Sequence, residues 1–183
     1  LSTEVGVNRE QLEHVIGSAA TIADDDEIVV IGSQAILGQF PDAPLDLCRS
    51  MEADVWPRHH PERAELIEGS IGELSPFHET FGYYAQGVGP ETAVLPEGWL
   101  DRVVRVCSSR TRGATGLCLE LHDLVLAKLV AGREKDSEFI RATIAHRLLD
   151  EPTVLARLKA TPLDDDRRRS LADLVGRWFQ QRP

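Results

Sequence analysis

The chain has 183 residues, 42% of them apolar and 27% charged, with a formal net charge of −10. That composition is enough for one packed domain, or one with a small appendage, and excludes a chain that is disordered throughout. The acidic balance argues against a protein that coats nucleic acid, and no stretch reaches the roughly 20 apolar residues of a membrane span. Residues 1–9 lack the basic-then-apolar layout of a signal peptide. Cys48, Cys107 and Cys118 have no CxxC spacing, and their odd number speaks against a disulfide framework. A cytoplasmic protein with no membrane partner is therefore expected.

Asn8 followed by Gln11 reads as a capping box, and Leu12, Val15, Ile16, Ala19 and Ala20 recur at helical spacing, which predicts a helix over 8–23. After the acidic turn Asp24-Asp25-Asp26, the apolar run 27–31 predicts a buried strand. Gly32-Ser33 follows at once, and residues 33–37 read as the first turns of a second helix. Beyond a Pro- and Asp-containing loop over 41–46, Met51, Ala53 and Val55 alternate with Glu52, Asp54 and Trp56, the pattern of a half-buried strand. Pro61 marks a helix start, with the helix running to about residue 68. Residues 82–88 and 92–95 read as a hairpin around Gly89-Pro90. Residues 102–107 and 116–119 read as further strands. Four helices are then predicted over 120–131, 135–149, 153–160 and 165–181, with Pro152 and Pro162 as breaks. The fold class is α+β: a mixed β-sheet first, over 1–119 with the N-terminal helix, and a helical region over 120–183 after it, in one compact unit.

Charge divides along the same line. Residues 1–120 carry 8 basic and 20 acidic side chains, whereas 121–183 carry 12 basic and 10 acidic. A basic patch from the last helices is possible on these numbers, densest at Arg167, Arg168 and Arg169. The preceding Asp164-Asp165-Asp166 fits equally well with a solvated helix start.

Four signals could carry chemistry. Glycine before a helix start lets a backbone approach a ligand, and a serine there can cap the helix or donate to a phosphate oxygen, which makes Gly32 and Ser33 a candidate phosphate cradle. Glu52 and Asp54 lie two apart on a strand, so they point the same way with Cα atoms roughly 6.5–7 Å apart, as two carboxylates that share divalent metal ions do. They also fit two solvated acids on an edge strand. Ser50 falls on the same face of that strand. Lys128 lies on an apolar stripe with Leu121, Leu124 and Val125, where an ammonium must snorkel outward or meet an anion. Asp136, eight residues on, shares a stripe with Ile140 and Thr143 or simply complements a helix N-terminus. His59-His60 lacks a third ligand at a usual spacing for a transition metal.

Taken in order, Gly32-Ser33, Glu52-x-Asp54 and Lys128-Leu-Val-Ala-Gly-Arg-Glu-Lys-Asp136 resemble the minimal nucleotidyltransferase fold of the DNA polymerase β superfamily. More narrowly, residues 27–141 resemble small bacterial nucleotidyltransferase-like proteins related to AbiEii and to the MenT toxins. That resemblance implies phosphate contacts from Gly32 and Ser33; Ser50, on the same strand face as the acids, is expected to reach the same nucleotide site. It implies Mg²⁺ held by Glu52 and Asp54, a triphosphate held by Lys128, and Asp136 completing the catalytic set. It further implies an NTP substrate, CTP or UTP by preference, and the 3′ end of tRNA as acceptor. The matching role is the toxin of a toxin–antitoxin pair, blocking translation, with a cognate antitoxin as protein partner. The family's usual acid pair is Asp-x-Asp; here Glu52, longer by one methylene, takes the first place. A small-molecule or protein hydroxyl as acceptor, and a non-catalytic antitoxin-like module of the same fold, are the alternatives.

Overall fold

The computed structural model describes residues 6–182. The chain divides into two compact units. The first runs to Thr92 and takes in Val103–Glu120; the second comprises Ala93–Arg102 and everything from Leu121 onward. Among the described residues no helix is long and apolar enough to cross a membrane.

The first unit is a five-stranded mixed sheet with helices packed on it. Helix α1 spans Arg9–Ala23. Asn8 accepts from the Gln11 amide at 2.9 Å, and the Gln11 side chain accepts from the Asn8 amide at 2.9 Å, the reciprocal capping predicted from the sequence. Its stripe of Leu12, Val15, Ile16 and Ala19 is fully buried, and the helix ends where Asp24 turns left-handed. Strand β1, Glu27–Val30, lies at the centre of the sheet, whose order is β3-β2-β1-β5-β4. Covered on both faces, it needs apolar residues without alternation, and Ile28, Val29 and Val30 are all inaccessible. A single 3₁₀ turn over Ser33–Ala35 leads into the short helix α2, Ile36–Gln39.

Strand β2, Glu52–Pro57, pairs antiparallel with β1. It starts one residue later than the alternation implied, leaving Met51 46% exposed. Helices α3 (Ala64–Ile71) and α4 (Pro76–Phe81) follow, then strand β3, Tyr84–Gly87. Here the structure corrects the expected hairpin. β3 pairs parallel with β2, and 90–92 form a 3₁₀ turn rather than the bend of a hairpin. Parallel neighbours need a long crossover, which α3 and α4 supply, so β3 already has its partner before Gly89-Pro90 is reached. Helix α4 was not expected, although Ser75-Pro76 marks it: the Ser75 hydroxyl accepts from the His78 amide, and Pro76 occupies the first turn. Strands β4 (Val104–Val106) and β5 (Thr115–Cys118) complete the sheet, β5 parallel to β1. Helices α1 and α3 pack against each other and on the strands.

The second unit is built from α5 (Leu121–Ala131), α6 (Glu134–Ala145), α7 (Glu151–Lys159) and α8 (Asp165–Gln180), all close to the predicted spans. Helix α5 is buried nearly all round, and α6 and α7 pack on it. Pro152 opens α7, behind the Asp150 cap, rather than interrupting a helix.

Candidate active site

The first unit brings Gly32, Ser33, Glu52 and Asp54 together. Past its last ladder residue, β1 continues one step along β2, where the Ile31 amide donates to the Asp54 carbonyl at 3.0 Å. The chain then turns at Gly32. What glycine supplies there is space and not backbone freedom, since its φ of −71° is open to any residue. A Cβ added to Gly32 would fall on the carboxylate of Asp54. The Gly-Ser turn and the second acid therefore lie in contact, across 22 residues of sequence. Glu52 and Asp54 are both half-exposed on one face of β2, while Ala53 and Val55 on the other are fully buried.

Two further residues shape this corner, and neither stood out in the sequence. Tyr84 lies directly opposite Glu52 in the β2–β3 register, and its hydroxyl donates to Glu52 Oε2 at 3.1 Å. Burial, and then the charge of Glu52, push the Tyr84 phenol up to about 12, so it remains a donor at neutral pH. Gln34, wholly buried behind Ser33, donates from Nε2 to the Ser50 carbonyl at 2.6 Å. The Val7 amide donates to the same carbonyl at 3.1 Å. Ser50 precedes the strand; its Oγ accepts from the Glu52 amide at 3.1 Å, which fixes the backbone as β2 begins.

In the second unit, Lys128 has met an anion rather than snorkelled. Its side chain is 9% exposed, with Nζ 3.1 Å from Asp136 Oδ1 and 4.7 Å from the centre of the Phe139 ring. Asp136 is fully buried and also takes Arg133 Nε at 2.7 Å and Nη2 at 3.2 Å. Burial alone would raise its carboxyl pKa, but the Arg133 hydrogen bonds and the Lys128 charge outweigh that and lower it. Asp123 is held alike: Arg102 reaches it through Nε at 2.9 Å and Nη2 at 3.0 Å, and Arg157 through Nη1 at 3.2 Å. The arginines at the start of α8 are engaged locally. Arg167 donates to the Val130 carbonyl, Arg168 to Thr161, Leu163 and Asp165, and Arg169 to Asp166.

A second group of metal-type donors lies at the turn after α1. Asp25, Asp26 and His59 each bring a ligand atom within 4.8 Å of the others, so His59 finds in space the partners missing from its sequence neighbourhood. A cavity of about 640 Å³ adjoins them, lined also by Gly17, Thr21 and Arg112. The carboxylate of Asp25 is already engaged, however. It accepts from the amides of Glu27, His59 and His60 and from His59 Nδ1. It thereby ties the turn before β1 to the segment after β2. Burial opposes the charge on Asp25, yet the His59 hydrogen bond and the backbone amides lower its pKa. Hydrogen bonding to Asp25 raises that of His59. The cysteines are all free. Burial pushes Cys48 to about 11 and Cys118 to about 12, so neither is a thiolate at neutral pH.

The donors at Glu52 and Asp54 suit a hard divalent cation. Both are carboxylates, half-exposed and on one strand face, and the missing side chain of Gly32 leaves backbone rather than a bulky group beside them. A family model described as a nucleotidyltransferase of unknown function (DUF6036) matches residues 10–182. No curated protein and no solved structure matches the chain significantly.

Proposed function

Because the chain belongs to this nucleotidyltransferase family of unknown function, we propose that it moves a nucleoside monophosphate from an NTP to an acceptor hydroxyl at the Gly32–Asp54 corner. The observation that carries this reading is the contact between the Gly32 backbone and the Asp54 carboxylate. It sets the Gly-Ser turn, read as the phosphate cradle, beside the acid read as a metal ligand, the two parts the reaction needs closest together.

In this mechanism Glu52 and Asp54 would hold a divalent cation of the Mg²⁺ class, which would supply positive charge to the phosphates when bound. The Ser33 hydroxyl donates to a phosphate oxygen, and Gly32 lets that phosphate approach the backbone. The acceptor hydroxyl gives its proton to water as its oxygen bonds to the α-phosphorus, and the bond to pyrophosphate breaks to release pyrophosphate. Ser50 keeps Glu52 in place through its backbone. By the family resemblance Lys128 is a phosphate-binding residue, and within the second unit its ammonium is held by the Asp136 carboxylate. Asp136 keeps that ammonium in place.

For the acceptor, the reading is the 3′ end of tRNA, with CTP or UTP as donor, in a toxin neutralised by a cognate antitoxin. It is supported by the motif order, and by the excess of basic over acidic residues in 121–183 of an otherwise acidic chain. Incubation with total tRNA and each labelled NTP in Mg²⁺ tests it, with Asp54→Ala as control. Label at the RNA 3′ end, lost in the variant, is the expected result. Label on a protein or small molecule would move the acceptor. No metal-dependent turnover of any NTP would leave the non-catalytic module, which the glutamate at 52 favours.

A further inference from the structure

Glu52 poses a physical problem that an aspartate would not. Its carboxylate sits on a longer arm with one more rotatable bond, so ordering it for a cation costs more conformational entropy. The fold holds that arm from the neighbouring strand. Tyr84 faces Glu52 in the parallel β2–β3 register, its amide donates to the Met51 carbonyl at 3.0 Å, and its hydroxyl donates to Glu52 Oε2 at 3.1 Å. Glu52 Oε1 takes no hydrogen bond from the described residues.

Tyr84 is itself held. The His78 ring lies 4.6 Å from the Tyr84 ring, tilted by 47°. His78 is oriented in turn, because its Nδ1 accepts from the Leu74 amide at 3.0 Å and its own amide donates to the Ser75 cap at 3.2 Å. A chain of contacts thus runs from the N-cap of α4 through two tilted rings in contact to one oxygen of the first acid.

We infer that Tyr84 is a positioning residue for the metal site: it fixes the long arm of Glu52 through Oε2 and leaves Oε1 for a divalent cation. This rests on the proposed role of Glu52 and Asp54 in holding metal. A glutamate in the first acid position and a tyrosine opposite it then form one device, in which the hydroxyl compensates for the extra methylene. The class of ligand served is a hard divalent ion, bound through carboxylate oxygen.

The test is a Mn²⁺ titration of the full chain, following the free-ion paramagnetic signal, for the wild type, Tyr84→Phe, Glu52→Asp and the double variant. The relevant uptake is the part that Asp54→Ala abolishes, which sets aside ions held at Asp25 and His59. Outer groups that orient metal ligands are worth about 10–100-fold in affinity, and a half-exposed carboxylate belongs at the low end. Tyr84→Phe should therefore weaken that uptake about tenfold, with the thermal midpoint of unfolding unchanged. On the Glu52→Asp background, where the shorter arm draws the carboxylate away from the phenol, the same substitution should change uptake by less than about twofold. Tyr84→Phe binding as tightly as the wild type would overturn the inference alone. Equal weakening on both backgrounds would also overturn it, since the tyrosine would then act through the sheet and not through the arm. Wild-type protein with no uptake sensitive to Asp54→Ala would overturn the metal reading beneath it.

Discussion

Two pairs of carboxylates, one pair in each unit, are held in different ways. In the second, Asp123 and Asp136 are fully buried, and each is gripped by two cationic side chains. In the first, Glu52 and Asp54 remain half-exposed on one strand face, with Glu52 tethered by a neutral phenol rather than a cation. A buried acid enclosed by cations serves the fold, because removing it strands charges out of water. Glu52, half-exposed and held by a neutral donor, keeps its charge available to something that arrives. The sequence shows acidic residues in both places; only burial and partners separate the roles.

That contrast can be broken at several points. The largest effect should come from Asp54→Ala, which should reduce nucleotide transfer about a thousandfold, or ~4 kcal/mol in barrier, while moving the thermal midpoint little. A large loss of stability would place Asp54 with the structural acids instead. Asp123→Ala should do the reverse. It leaves Arg102 and Arg157 facing a vacancy and should cost about 3–5 kcal/mol, read from urea unfolding. Asp136→Asn sharpens the comparison, because the motif reading and the burial pull it in different directions. It should cost about 2–4 kcal/mol, with Lys128 and Arg133 losing their common partner. A variant of full stability but no transfer would return Asp136 to chemistry alone.

The smallest effect is a pH dependence at the Asp25–His59 clamp. Its stabilisation from His59, whose pKa is raised on folding, is complete below the unfolded value of 6.5 and fades as pH rises through the higher folded value. The part from Asp25, whose pKa is lowered, is present above 3.8 and is lost as pH falls through the lower folded value. The clamp is therefore strongest between those limits. Thermal unfolding of the wild type against His59→Gln should show a wild-type advantage at pH about 5.5 that shrinks by pH about 9. An advantage independent of pH would mean that the ring acts without its charge.

Much of the architecture was legible because its causes are local. The Asn8–Gln11 box, the unbroken apolar run of β1 and the stripes of the last four helices each lie within one stretch of chain. Lys128 was legible as a choice between water and an anion, and Asp136 supplied the anion from eight residues away. Long-range pairing was not legible. Gly89-Pro90 carried a hairpin signal, but β3 had been taken by β2, across a crossover that period and turn residues do not reveal. Tyr84 and Gln34 were missed for the same reason. A tyrosine in a strand and a glutamine in a turn are ordinary until register places one on Glu52 and burial places the other against the Ser50 carbonyl. The grouping of Ala93–Arg102 with the helical unit became clear only through Arg102 on Asp123.

The vacancy at Gly32 also links two positions that look independent in the sequence. Positions 32 and 54 occupy a single volume: the side chain absent from one is the carboxylate of the other. A residue larger than glycine at 32 would evict the acid before it disturbed the turn, silencing transfer in a protein that still folds. A library randomised at both positions should accordingly return active clones only with glycine at 32 when aspartate is kept at 54. For anyone redesigning this corner, the two sites are a lock with one keyhole, and they have to be varied as a pair.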